Sequence, residues 1–154
     1  MTLREKILWS STAITLVIWG WYFSSFVGDL KAGRIDQGAM VGSFAVAVIV
    51  LTVVHIVSAT VIAIFSGKAA NAPADDRETA YDLAAYRPAY FVLAGTIIAL
   101  MLAGPILLRI AAEWTPQPDP GLVPVLLGNA LLAALVLAEL VHAGFQLIRY
   151  RFGG

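Results

Sequence analysis

Residues 39–66, AMVGSFAVAVIVLTVVHIVSATVIAIFS, decide the fold. His55 is the only ionisable side chain in this run. A helix rises about 1.5 Å per residue, and about 20 apolar residues cross the roughly 30 Å of bilayer hydrocarbon, so the stretch is long enough to span. In hydrocarbon every backbone N–H and C=O must be satisfied internally. A long unbroken apolar run meets that demand only as a helix, because barrel strands are short and alternate.

Three further runs share this character, at residues 7–27, 89–112 and 122–148. The chain has 154 residues, of which 60% are hydrophobic and 13% charged, with a mean hydropathy of +0.83. Soluble domains carry about twice that charge fraction, so an ordinary soluble globule is excluded. The expected fold class is all-α: an integral membrane four-helix bundle forming one domain, residues 1–154. The 10 Lys+Arg balance the 10 Asp+Glu, leaving no basic field for nucleic acid. With no cysteine there is no disulfide, thiolate nucleophile or iron–sulfur site.

Arg4 and Lys6 precede the first run, as in a signal peptide. The run outlasts an h-region, however, and no small-x-small cleavage pattern lies near Phe26, so a retained anchor is expected. Cations set the direction. With the N-terminus inside, Arg4, Lys6, Lys68, Arg77, Arg87, Arg149 and Arg151 lie inside and only Lys31, Arg34 and Arg109 outside. Both termini are therefore expected on the cytoplasmic side. Trp19, Trp21, Tyr22 and Trp114 would mark the outer interface, and Trp9, Tyr86, Tyr90 and Tyr150 the inner one. The outer connections are Gly28–Gln37 and a rigid turn over Pro116–Pro120. The inner loop, residues 67–88, is the one with content of its own. Val53-Val54-His55 aligns with Leu140-Val141-His142, a faint tandem repeat of two helical hairpins.

Lipid tails are as apolar as leucine, so helices associate through small residues that allow close approach. Gly95, Ala99 and Ala103 form one such stripe, Ala130, Ala134 and Ala138 another, and Ser43 with Ala47 a third. Packing within the chain is the first reading of these stripes and a homodimer the second. Gly104-Pro105 is expected to kink the third helix.

Three ionisable residues fall inside the spans: His55, Glu139 and His142. Such residues are costly in hydrocarbon and mark function by default. Glu139 and His142 share a helix face at i, i+3. Counted from the inner helix ends, His55 and His142 differ in depth by about 7 Å, which disfavours a shared b-type haem. Glu139 is closer to the level of His55, so a His55–Glu139 hydrogen bond between the second and fourth helices is expected. Fixing helix register is its first role. A proton relay, a two-histidine, one-carboxylate metal site and haem b are the alternatives. No resident cofactor is expected on the first reading. Ser58, Asn129 and Gln146 could extend any such network, and Arg109 with Glu113 is expected to pair at i, i+4.

The run Asp75–Tyr90, DDRETAYDLAAYRPAY, is the most patterned segment. Asp75 can cap a short helix with Asp76 and Glu78 in its first turn, and this helix is expected to be a solvated surface element. The segment resembles the hallmark of a family of small, uncharacterised bacterial membrane proteins with four spans: an Asp-Glu-Arg-Asp/Glu box, an acidic residue, Ala-x-Arg, then Tyr entering the third helix. Asp75, Arg77 and Glu78 match the box, and Asp82, Ala85, Arg87 and Tyr90 match the positions beyond it. Asp76 stands where the family has Glu. Pro88 departs from the pattern and is expected to break the helix near Arg87. The resemblance implies the four-span layout and a role for the box in folding or interaction.

No catalytic constellation is present: no Ser-x-x-Lys, no His-Glu-x-x-His, no glycine-rich phosphate loop. The expected function is a non-enzymatic accessory or regulatory membrane protein. It would dock a cytoplasmic protein through Asp75, Arg77, Glu78, Asp82, Arg87 and Tyr90. A proton- or metal-linked carrier, or a b-type haem protein, using His55, Glu139 and His142, is the alternative.

Overall fold

The computed structural model describes residues 2–67, 75–113 and 121–152. It contains four helices: α1 (Leu3–Lys31), α2 (Gln37–Ser66), α3 (Asp76–Ala112) and α4 (Leu122–Phe152). Each is long and apolar enough to cross a membrane. Lys68, Pro73, Trp114 and the expected Pro116–Pro120 turn lie outside the described residues.

The helix starts follow from capping chemistry. The Thr2 hydroxyl accepts from the Glu5 backbone N–H (3.2 Å), and the Asp36 carboxylate accepts from that of Ala39 (2.7 Å). Each thereby satisfies an N–H that the helix itself leaves orphaned. Between α1 and α2 the chain reverses over residues 32–36, where Gly33 takes a positive φ of 64°. A glycine suits that position because it has no Cβ to clash.

The helices pack in the spatial order α2–α1–α4–α3. The central pair is α1 and α4, while α2 and α3 flank it and share no substantial contact with each other. The start of α1, the start of α3 and the end of α4 come together at one end, called here the termini end. The core forms where α1 meets α2 and α4. Trp19, Tyr22, Ala47 and Val136 are buried together, with Leu51, Leu132 and Leu140 against them. Trp19 and Tyr22 meet edge-on at 5.6 Å, and Phe44 of α2 lies 6.2 Å from Trp19.

This corrects the expectation that Trp19 and Tyr22 mark an interface. Thr15, Trp19, Tyr22 and Phe26, spaced i, i+4, i+7, i+11, are the buried face of α1. Trp21 sits off that stripe and is exposed. Large aromatics fill the space between three helices that a narrow stripe of small residues could not.

The third helix also differs from expectation. Residues 76–88 are neither a separate short helix nor wholly a solvated surface. They form the first turns of a continuous α3 that runs through both Pro88 and Pro105. Proline removes one helical hydrogen bond. Around Pro88 the helix is held from both sides of the lesion, because Ala85 and Ala89 are buried. Ala85 fixes which face turns inward. Gly95, ten positions on, is rotated about 80° from it. Gly95 and Ala99 are accordingly exposed and are not a packing face within the chain, whereas Ala103 of the same stripe is half-buried. By contrast, Ala134 and Ala138 of α4 and Ala47 of α2 are buried as expected, with Ala130 half-buried, while Ser43 of the third stripe is exposed.

Candidate functional site

The densest polar assembly lies at the termini end, around the first turns of α3. At about 1.5 Å per residue α3 is about 55 Å long, well beyond the roughly 30 Å of a hydrocarbon core. Its first turns carry most of its charge. They are held by α1 and α4. The Arg4 guanidinium meets the Glu78 carboxylate at 3.2 Å, with the Glu78 side chain mostly buried. The Tyr81 and Tyr150 rings meet edge-on at 5.4 Å. The Arg77 guanidinium donates to the Tyr81 hydroxyl at 3.0 Å.

One turn further in, Gln146 is the hub. Its amide donates to Asp82 Oδ1 (2.9 Å) and faces His142 Nδ1 (3.2 Å). His142 Nε2 lies 3.4 Å from the same Asp82 oxygen, and the Tyr86 ring lies 4.5 Å from the imidazole. The Gln146 amide nitrogen is also 3.3 Å from His142 Nε2, so it faces the edge of the ring between its two nitrogens. The arrangement joins two helices through a carboxylate, an amide and an imidazole, each used by the others. Buried polar groups require such pairing.

His55 has a separate environment. Nδ1 is 2.8 Å from the Leu51 carbonyl, which can only accept, so Nδ1 carries the proton. Nε2 is therefore the acceptor, and the Ser11 hydroxyl of α1 donates to it at 2.9 Å. Both ring nitrogens are thus occupied. The neighbouring Ser10 and Ser58 hydroxyls also pair across α1 and α2. Glu139 is exposed on the outside of α4 and makes no hydrogen bond or ion pair with a described residue.

The expected His55–Glu139 bond is therefore absent, and the reason is helix order. With α1 between them, α2 turns His55 toward α1 rather than α4. His55, Glu139 and His142 are not gathered into one site. Among the described residues no group of three or more His, Asp or Glu is placed to hold a metal ion. Each histidine instead reaches across its own hairpin, His55 to α1 and His142 to α3, although their partners differ in kind.

The box residues divide by face. Glu78 and Asp82 turn toward the other helices, and Ala85 is buried between them and the rest of α3. Asp75, Arg87 and Tyr90 are exposed, with Arg87 lying 5.9 Å over the Phe91 ring. Arg109 and Glu113 do not form the expected pair.

Arg4, Tyr86, Ser11 and Tyr22 enter these networks without having been singled out as polar partners. Tyr22 donates to Asn129 at 2.9 Å, and Asn129 in turn donates to the Val125 carbonyl. The signal for Gln146 was its i+4 spacing from His142. No family model, curated protein or solved structure matches the chain.

Proposed function

We propose that this chain is a small, non-enzymatic integral protein of the bacterial inner membrane, with both termini cytoplasmic. In this reading it acts as an accessory or regulatory subunit through protein–protein contacts. The observation that carries the proposal is the two-sidedness of the first turns of α3. One side, Glu78, Asp82, Ala85 and Ala89, is committed to the rest of the chain. The other, with Leu83, Tyr86, Arg87 and Tyr90, is exposed on a helix held by two neighbours.

A helix fixed along one side presents its other side at little conformational cost, which favours binding. Aromatic and arginine side chains are also the types that anchor protein interfaces. The docking surface is thus narrower than the whole box, because Glu78 and Asp82 serve the fold. The cation bias toward the termini end supports the cytoplasmic orientation. The dispersal of His55, Glu139 and His142 favours contact over transport or haem chemistry.

A photo-crosslinking residue placed at position 90, in membranes, tests the reading. The expected result is one discrete protein adduct that Arg87→Glu abolishes while the chain stays folded and embedded. The same probe at Ile49, on the exposed face of α2, should give no such adduct. Equal adducts at both positions, or none at position 90, would reject the surface.

A further inference from the structure

Because α2 and α4 share no substantial contact, a groove of about 420 Å³ opens between them in the half of the bundle away from the termini end. Met40 and Phe44 of α2 form one wall, Val125, Gly128 and Leu132 of α4 the other, and Tyr22 of α1 lies between. The surface is mostly apolar. Its interior polar side chains are already engaged, since Tyr22 donates to Asn129 and Asn129 to the Val125 carbonyl. The α4 wall runs from Pro124 to Leu135, about 16 Å at 1.5 Å per residue. That is close to half of the roughly 30 Å of hydrocarbon, the depth of one leaflet.

A second recess, beside the turn between α1 and α2, shares Tyr22 and Met40 with the groove. Its character is different. Asp29 and Asp36 bring two carboxylates to it and Arg34 one guanidinium. Arg34 lies 3.4 Å from Asp29 with both side chains exposed, so this pair is open to a ligand on its outer side. Asp36 uses Oδ2 to cap α2.

We propose that the groove and the recess together hold one phospholipid with a primary-amine headgroup, phosphatidylethanolamine. This rests on the membrane-spanning reading given above. Under that reading lipid tails are the solvent of the helices and as apolar as leucine, so an open apolar groove is filled by an acyl chain. The groove has the depth of one leaflet, and the charged recess lies at its mouth, where a headgroup sits. The Arg34 guanidinium suits the lipid phosphate, because its planar fork of N–H donors matches phosphate oxygens. The headgroup ammonium then meets Asp29 and Asp36. Two carboxylates against one guanidinium favour a headgroup that carries its own cation over a purely anionic one. A primary ammonium also donates hydrogen bonds to carboxylates, which a quaternary choline nitrogen cannot do.

The test is native mass spectrometry of the full chain in mild detergent. It is offered an equimolar mixture of phosphatidylethanolamine, phosphatidylcholine and phosphatidylglycerol with identical acyl chains. The expected adduct is one lipid per chain, with phosphatidylethanolamine in about tenfold excess over either of the others. Asp29→Asn combined with Asp36→Asn should remove that preference, and asparagine at position 36 still caps α2. Gly128→Leu should remove the adducts of all three lipids. Gly128 has open space where a Cβ would sit, so the added side chain enters the groove without moving the backbone. Alkaline carbonate extraction of membranes reads embedding separately. Release of the chain would overturn the spanning reading and the lipid site with it. For an embedded chain, the absence of any adduct, equal retention of the three lipids, or an excess of either other lipid overturns the site alone. A preference unmoved by the paired asparagines, or adducts untouched by Gly128→Leu, does the same. Should Gly128→Leu fail to fold, the lipid competition on the unaltered chain still decides the matter.

Discussion

At the termini end of α3 and α4, Asp82, His142 and Gln146 each find a partner within the chain. On the same helix face of α4, at i−3 from His142, Glu139 finds none among the described residues. The sequence offers no hint of this difference, since Glu139 and His142 are both polar and almost adjacent. What separates them is the neighbour. The start of α3 lies beside His142 and supplies Asp82 and Tyr86. Glu139 lies on the exposed side of α4, with no polar partner among the described residues. A polar residue on a helix thus serves the fold or awaits something else according to which element passes it, and spacing within one helix cannot say which.

Four substitutions break or sharpen this comparison. The largest effect is expected for Ala85→Leu. Ala85 has no exposed surface, and overpacking a tight contact costs about 1–3 kcal/mol. Unfolding in detergent should show the loss, and a chain as stable as wild type would mean that α3 and α4 are not in close contact there. Gln146→Ala is expected to cost about 1 kcal/mol, because it strips both Asp82 and His142 of their shared donor. A double-mutant cycle with Asp82→Ala should return a coupling energy, and additivity would dissolve the network.

Tyr22→Phe tests a single interhelical bond away from that end. Such contacts average about 0.6 kcal/mol, so a shift of that order in unfolding free energy is expected. The smallest effect is expected for Glu139→Gln on unfolding of the monomer in dilute detergent, where no measurable change should appear. A clear loss there would give Glu139 a partner inside the chain and erase the contrast with His142.

Much of the architecture was legible because hydrophobic length is a local property. The four runs and the close packing at Ala134, Ala138 and Ala47 could be read directly. Other readings needed knowledge of neighbours. The Trp19–Tyr22 stripe has core spacing, yet tyrosine and tryptophan near a helix end suggest an interface belt equally well. Pro88 disfavours helix locally, but burial of Ala85 and Ala89 outweighs that preference. The Gly95–Ala99 stripe is a good packing motif on a helix whose rotation had been set by Ala85.

The sequence by itself determined that this chain forms four long apolar helices with charge concentrated toward one end, because span length and composition act residue by residue. Only the tertiary structure decided that α1 and α4 are central, that His55 turns to Ser11, that His142 meets Asp82, and that Glu139 meets no described polar group. Those outcomes depend on the order and rotation of packed helices. Such order is settled by the summed fit of many weak side-chain contacts between segments far apart in the chain, and no single stretch of sequence contains it.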